Sequence, residues 1–423
     1  MRIMVVGGGG REHAIIKKLS ESEKVTEIFA LPGNGAIAQD ATCVDIGAKD
    51  IEGIVKFAKE NNIEFAVVAP DDPLVLGAVD ALHKEGIPCF GPESNAAIIE
   101  GSKIFSKNMM KEAGIPTAQY ETFDNAQNAL AYLEDCAIPV VIKADGLALG
   151  KGVVIAMTRD EAKTAVKEMM EDKVFGDSGN NIVIEEFLTG PEVSVLSFTD
   201  GKVVVPMVSS MDHKRIGDND TGLNTGGMGT IAPNPYYTAD IADRCMKEIF
   251  IPTMEAMNKM GRTFKGCLYF GLMLTEAGPK VIEYNCRFGD PETQVVLPLL
   301  KTDLFEIMQA VEAGTLADID VEFKDEAACC VVMASEGYPK KYQTGFEITY
   351  DNDLEAEIYV AGAKLQDGKL LTAGGRVLGV VSTGENLAAA IKKSYAEVKK
   401  VHFENAYCRS DIGAKALKVL EEN

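Results

Sequence analysis

Apolar residues recur along this chain with two periods, and the way the periods alternate predicts its architecture. Over the first hundred positions, short apolar runs at residues 3–6, 27–31, 65–69 and 88–90 read as strands. Between them apolar residues fall three or four apart, as at Ile51, Ile54, Val55 and Ala58 and across residues 73–85, the spacing of one helix face. Strands alternating with helices predict a parallel, doubly wound α/β domain. Ser102 then offers a side-chain cap for a helix running to about residue 113.

Beyond that helix the pattern changes. Residues 140–144 and 153–157 read as two strands around a loop, followed by a helix at 160–171 and a strand at 182–186, a small α+β unit. Strands at 193–199 and 203–208 precede a long polar, glycine-rich loop from Asp212 to Gly229. A helix at 240–260, strands at 267–275 and 281–284, and a helix near 302–313 complete a large central part. After Asp325 the chain turns β-rich. Residues 364–371 read as a hairpin about an Asp367-Gly368 turn, and Leu387, Ile391, Tyr395 and Val398 line one face of a final long helix. The sequence shows neither an internal repeat nor a low-complexity tract.

Composition narrows the function more than the fold. At 423 residues the chain is too long for one core, so two to four domains are expected. A formal net charge of −22 repels phosphate backbones and anionic lipid, which disfavours nucleic acid and anionic membrane surfaces as partners. Any anionic substrate must be gripped by a local cluster of cations and backbone N–H groups. Nine cysteines, an odd number without a C-x-x-C pair, imply reduced thiols and a cytoplasmic location. Four histidines, none at metal spacing, make a zinc site an unfavoured reading. A strand is expected within residues 1–6, which leaves no room for a signal peptide, and no apolar run approaches the length of a membrane span.

The stretch from Val281 to Gln294 carries the sharpest chemical signal. In a strand, Glu283 and Asn285 point the same way and set a carboxylate beside an amide oxygen. Such hard oxygens suit Mg²⁺, which takes one or two carboxylates plus substrate phosphates. Arg287, two residues on, implies a further anion such as a substrate carboxylate or phosphate. The plain alternative is a strand with one exposed acid and a turn at Gly289, Asp290 and Pro291.

Other segments offer phosphate-binding chemistry. The first strand runs into Gly7–Gly10 and then a helix, the place where dinucleotide folds grip pyrophosphate. The G-x-G-x-x-G pattern fails, because Glu12 or His13 stands at its last position, and the second strand ends in Leu31-Pro32-Gly33-Asn34 without an acid for a ribose. Nicotinamide and flavin cofactors are therefore disfavoured. Backbone N–H groups of Gly8, Gly9 and Gly10 with Arg11 suit a single phosphate; otherwise the turn merely packs helix on sheet. Residues 143–152 are not a Walker A loop, since Gly146 to Lys151 is one residue short and Gly152 replaces the Ser/Thr. Lys143 ends an apolar run and calls for an anion, while Lys151 and its glycines could close over a triphosphate or simply form a flexible hairpin. Lys103 sits in a first helical turn, where the dipole disfavours a cation, so a bound anion would explain it. Where the strand ending at Glu185 and Glu186 breaks into Phe187 and Leu188, backbone groups could meet an adenine edge and Glu192 a ribose; alternatively the strand is amphipathic with surface acids.

In this order Lys103, Lys143, the loop 146–152, Glu185, Glu186, Glu192 and Glu283-x-Asn285-x-Arg287 resemble the ATP-grasp superfamily. Residues 9–13, 32–34, 143–147, 212–215, 224–229 and 287–294 resemble, within it, the glycinamide ribonucleotide synthetase family, and the resemblance covers essentially the whole chain. The departures are Asp71-Asp72 in place of a Glu-Ala pair, Leu223 in place of a proline, and no acid across residues 269–274. The resemblance implies an N-terminal doubly wound substrate domain (1–101), an ATP-grasp main domain (102–119 and 191–325), a mobile lid (120–190) and a β-rich C-terminal domain (326–423).

It further implies an ATP-dependent, ADP-forming ligase of purine synthesis that joins glycine to phosphoribosylamine through glycyl phosphate, acting as a cytoplasmic monomer with Mg²⁺ or Mn²⁺. ATP would contact Lys103, Lys143, Gly150, Lys151, Gly152, Glu185, Glu186, Phe187, Leu188 and Glu192. The metal would rest on Glu283 and Asn285. Phosphoribosylamine and glycine would meet Gly9, Gly10, Arg11, Glu12, Asn34, Asp212, His213, Lys214, Gly227, Arg287 and Asp290, with Arg287 and Lys143 catalytic. A carboxylase or formate-dependent transformylase of the same superfamily would share the nucleotide residues. A nucleotide-binding regulatory module is the reading from another class, and the intact Lys143, Glu283, Asn285 and Arg287 argue against it.

Overall fold

The computed structural model describes residues 1–147 and 152–422. The N-terminal part is a five-stranded parallel sheet in the order Thr42–Cys43, Glu27–Pro32, Arg2–Gly7, Phe65–Val68, Cys89–Phe90. The first strand is central and its neighbours run outward on either side, the doubly wound arrangement expected from the alternating periods. The chain therefore leaves the first strand at the switch point of the sheet, where ligands bind in such folds. The apolar segment 73–85 forms two helices rather than one, Asp71–Val75 and Ala78–Lys84. Gly77 separates them with φ +86, a left-handed conformation that ends a helix.

Helix Lys103–Ala113 starts as expected, with Ser102 Oγ accepting from the N–H of Phe105. It leads into an antiparallel sheet ordered Tyr120–Phe123, Ile182–Glu186, Val140–Ala144, Val153–Ala156. Helices Ala126–Asp135 and Arg159–Met170 cover that sheet, and its core is a cluster of its own around Ile142, Val166 and Ile184. The first of these helices was not evident in the sequence, although Asn125 caps it.

A second antiparallel sheet, ordered Val204–Pro206, Glu192–Thr199, Gly266–Thr275, Gly278–Asn285, forms the central layer. The expected helix over 240–260 runs as Ala239–Cys245 and Ile251–Lys259 with a π turn, Met246–Phe250, between them. Pro252 has no N–H for the preceding turn and its ring crowds it, so the helix widens just before that residue.

The last sheet pairs Met211–Asp212 and Gly229–Ala232 with Ala327–Ser335, Arg376–Gly384 and Glu357–Val360, so it draws strands from both sides of residue 325. The expected loop 212–229 instead contains a two-stranded ribbon, Arg215–Gly217 with Thr221–Asn224. The ribbon buries neither face, so its sequence carries no apolar alternation to reveal it. The 364–371 hairpin forms as expected, with Asp367 and Gly368 at φ 51 and 75. Leu387–Val398 is a helix but not the final one, because Ala414–Glu422 follows. No helix among the described residues is long and apolar enough to cross a membrane.

Candidate functional site

Strand Gly278–Asn285 lies at the edge of the central sheet and aims the key acid. Gly271 pairs with Glu283 and Leu272 with Val281, so Ile282 is an extra, bulged residue whose carbonyl is free to accept from Lys143 Nζ at 3.0 Å. A Cβ on Gly271 would stand 3.1 Å from Glu283 Cγ, so glycine opposite the acid leaves it room. The Glu283 carboxyl is held below its ordinary range: burial would raise it, but Lys214, Lys143, Lys103 and Arg287 together outweigh burial. Among the described residues its carboxylate accepts no hydrogen bond.

Asn285 is nearby but engaged. Its Oδ1 accepts from Arg287 Nη2 at 2.9 Å, and the same nitrogen donates to Glu100 Oε1 at 3.0 Å. Glu100 Oε2 also accepts from the N–H of Cys286 at 2.7 Å. The anion expected beside Arg287 is thus supplied by the chain itself, while Arg287 Nε is buried without a partner. One carboxylate and one amide oxygen, with phosphates completing the shell, match a hard divalent cation, provided that Asn285 exchanges its bond from Arg287. No group of three or more His, Cys, Asp or Glu suited to a metal occurs among the described residues.

The lysines are held by acids and backbone carbonyls of the chain. Lys103 donates to the carbonyl of Gly146 at 2.6 Å, and burial pulls its ammonium below its ordinary range. Asp145 accepts from Ser102 Oγ at 3.0 Å and from the N–H of Ile104 at 3.1 Å, so this acid offsets the cation at the helix start. Lys143 and Lys107 both sit 3.0 Å from the Glu185 carboxylate, and all three side chains are buried. The Glu185 carboxylate therefore lies between two ammonium groups, not at an adenine edge, and Glu186 is bonded to Lys280 at 2.8 Å. Lys107 also donates to Thr117 Oγ1 at 2.8 Å, and Thr117 in turn to the carbonyl of Val281 at 2.7 Å. Burial lowers the Lys107 ammonium to about 8. Gly152 is buried, while Gly150 and Lys151 lie outside the described residues. Glu192 pairs with Lys214 at 2.7 Å. Burial works against charge on Lys214, but Glu192 and Glu283 hold its ammonium well above its ordinary range.

At the first-strand turn, Glu12 accepts from the N–H of Gly9 and from Arg11 Nε, both at 2.6 Å. Its carboxylate is thus spent on shaping the turn. Arg11 Nη1 reaches the carbonyl of Phe288 at 3.1 Å. Asn34 uses its amide fully: Nδ2 donates to the carbonyls of Gly8 and Val360, and Oδ1 accepts from the N–H groups of Ala36 and Ile37. Asp290 accepts from Gln294 at 2.7 Å and pairs with Arg376 at 3.2 Å. Burial would raise its carboxyl, but Arg376, Arg11, Gln294 and Arg287 bring it below its ordinary range. Arg376 also donates to the carbonyls of Gly226, Gly227 and Asp290.

His213 departs most from expectation. It is buried, Nδ1 faces the carbonyl of Gly229 at 3.1 Å, and Nε2 accepts from the N–H of Gly413 at 3.1 Å. Burial and the charge of Arg409 push it down to about 4, so it is a neutral packing residue and offers no nitrogen to a ligand. Asp212 beside it has a buried Oδ1 without a partner, and burial with the nearby Glu292 raises its carboxyl well above its ordinary range.

Lys103, Lys143, Lys214, Glu283 and Arg287 are thus gathered at one place, and Arg11, Arg287 and Asp290 at its flank. Sequence reasoning missed Glu100, Lys107, Arg376 and Glu292. Two of these left a trace: Lys107 lies one helical turn after Lys103, and Glu100 closes a helix, where an acid opposes the dipole. A groove of about 550 Å³ between helices Ile51–Glu60 and Ala78–Lys84 shares no residue with this cluster.

Comparison with known proteins identifies the family and the fold. Models of the phosphoribosylglycinamide synthetase N domain, ATP-grasp (A) domain and C domain match residues 1–100, 101–293 and 328–415. The phosphoribosylamine–glycine ligase of Caldanaerobacter subterraneus subsp. tengcongensis is 48% identical over 415 residues, covering 98% of this chain and 100% of that one. The crystal structure of phosphoribosylamine–glycine ligase from Thermotoga maritima is similar with a TM-score of 0.87 and 34% identity, over 97% of this chain and 100% of that one. A biotin carboxylase from Campylobacter jejuni, at 13% identity, shares the fold with a TM-score of 0.75 over 96% of this chain and 92% of its own.

Proposed function

The chain belongs to the phosphoribosylglycinamide synthetase family, and from that premise we infer that it joins glycine to 5-phosphoribosylamine at the expense of ATP, a step of purine synthesis that yields glycinamide ribonucleotide, ADP and phosphate. One observation carries the site: the Glu283 carboxylate stands among Lys214, Lys143, Lys103 and Arg287. This excess of positive charge suits the β- and γ-phosphates of ATP in a chain whose net charge is −22.

A glycine carboxylate oxygen attacks the γ-phosphorus and ADP leaves, giving glycyl phosphate. The amine of phosphoribosylamine then attacks the acyl carbon, its proton is lost and phosphate departs. Such phosphoryl transfer depends on positioning and on neutralising charge rather than on a protein nucleophile. Lys103 and Lys143 hold the phosphates. Arg287, kept in place by Glu100, offers its unpartnered Nε to the glycine carboxylate. A divalent cation would be held by Glu283 and Asn285 and supplies, when bound, charge neutralisation between the phosphates; Mg²⁺ or Mn²⁺ fits these oxygens.

The linker at Glu186, Phe187 and Leu188 receives the adenine through its backbone. Glu192 exchanges Lys214 for the ribose hydroxyls. The amide of Gly10 with Arg11 binds the phosphate of phosphoribosylamine, and Gly9, Asn34 and Glu12 act indirectly by shaping that turn. Asp290 lies beside the amine, and the loop 212–229 with its ribbon covers the acyl phosphate from water. We propose that it acts as a monomer, and nine free cysteines fit a reducing cytoplasm.

Nucleotide products measured with freshly made phosphoribosylamine, with and without glycine, test the reading. ADP and phosphate should form in step with product and only when glycine is present. AMP and pyrophosphate in step with product would reassign the chain to an adenylating ligase.

A further inference from the structure

The ribbon that follows Lys214 has little apolar hold on the rest of the molecule. Strand Thr221–Asn224 is exposed throughout and Arg215–Gly217 only half-buried. Its turn also places two consecutive non-glycine residues, Asn219 and Asp220, at φ 57 and 55, which L side chains adopt only under constraint. The constraint comes from the segment 407–415, far away in sequence.

Arg409 is its centre, with 1% of its surface exposed. Its Nη1 donates to Asp220 Oδ1 at 2.9 Å and to the carbonyl of Arg215 at 3.1 Å. Its Nε and Nη2 grip the two oxygens of Asp411 at 2.7 and 2.8 Å. Asp411 accepts in turn from the N–H of Asn219 at 2.8 Å. The Asp218 carboxylate accepts from the N–H and the hydroxyl of Ser410, and the Tyr407 hydroxyl donates to the carbonyl of Ile216 at 2.8 Å. Gly413 N–H donates to His213 Nε2 at 3.1 Å. Both neighbours of Lys214, namely His213 and Arg215, are thus tied to one segment, while the Lys214 side chain is left to face Glu192 and Glu283.

We propose that residues 407–415 are a clamp on the reacting centre, with Arg409 the positioning residue that sets Lys214 and holds the ribbon over the acyl phosphate. This rests on the placing of Lys214 in the site given above. A displaced ribbon would let water attack the acyl carbon of glycyl phosphate. The carbon–oxygen bond to phosphate then breaks, glycine and phosphate are released, and ATP is consumed without product.

The test uses the full-length protein and measures ADP formed per glycinamide ribonucleotide, kcat/KM for phosphoribosylamine, and the Kd of ATP. Arg409→Lys keeps the charge but loses the fork. It should raise ADP per product above unity and lower kcat/KM by roughly 10-fold or more, since small misplacements around reacting atoms are costly. The Kd of ATP should move far less. Ser410→Ala, which removes only an exposed bond to Asp218, should shift both quantities the same way by less, and it keeps the test open if the buried substitution fails to fold. In a Lys214→Ala background Arg409→Lys should add little to the loss of kcat/KM, which it exerts through that lysine, while still raising ADP per product, which it exerts through the ribbon. Unchanged coupling and efficiency in folded Arg409→Lys and Ser410→Ala would overturn the clamp, as would a full additional loss of kcat/KM from Arg409→Lys in the Lys214→Ala background. A Lys214→Ala variant with normal coupling and efficiency would overturn the placing of Lys214 itself, and the clamp with it.

Discussion

Arg287 Nη2 lies 3.0 Å from Glu100 Oε1, while Arg287 Nε is buried with no acceptor. An arginine so held is pre-oriented and still has one donor to give. Glu100 and, behind it, Asp71 keep its guanidinium charged against the cost of burial.

Arg287→Lys should therefore damage glycine use more than ATP binding. Lysine keeps the charge but cannot bond Glu100, Asn285 and a substrate carboxylate in one plane. Loss of one charge-assisted hydrogen bond, about 1.5–3 kcal/mol, corresponds to roughly 10- to 150-fold in kcat/KM for glycine. Glycine-dependent kinetics beside nucleotide titration of the same variant checks this; an equal fall in ATP binding would move the glycine carboxylate elsewhere.

Glu283→Gln should cut activity by about 10²-fold or more while leaving the fold intact, because it removes the one carboxylate of the proposed cation site. Raising the Mg²⁺ concentration should recover part of the loss. Wild-type turnover in the variant at low Mg²⁺ would make Glu283 a bystander.

The place of Glu283 beside Asn285 was legible in the sequence because a strand has a two-residue period. The Ser102 cap and the Asp367-Gly368 turn were readable for similarly local reasons. The pairing of Arg287 with Glu100 was not, since 187 residues separate them and no period relates them. His213 misled for another reason: Asp-His-Lys in a polar stretch reads as a solvated loop, yet Gly413 and Gly229 engage both ring nitrogens. Arg376 and Arg409 act through backbone carbonyls and distant acids, contacts that only the tertiary fold creates.

Lys107 gives a pH signature. As pH rises through about 8 its ammonium loses its proton and Glu185 loses one of its two cations, which disturbs Lys143. kcat/KM for ATP should fall on that alkaline limb. In Lys107→Arg, whose guanidinium stays charged, the fall should move to higher pH; an identical limb in both proteins would exonerate Lys107.

His213 gives a stability signature of the opposite sense. The folded protein keeps it neutral down to about 4, whereas the unfolded chain protonates it near 6.5, so falling pH favours unfolding across that window. The slope approaches roughly 1.4 kcal/mol per pH unit for this one group. Denaturant unfolding of wild type and His213→Gln between these pH values should show a shallower loss in the variant; parallel curves would mean that the imidazole is not what titrates.

A glycine carboxylate oxygen that attacks the γ-phosphorus at the Glu283 cluster leaves an isotopic trace. Glycine labelled with ¹⁸O in its carboxylate tests this directly. The inorganic phosphate released with glycinamide ribonucleotide should carry ¹⁸O from glycine, with ADP as the nucleotide product. Unlabelled phosphate, or ¹⁸O recovered in AMP, would contradict it.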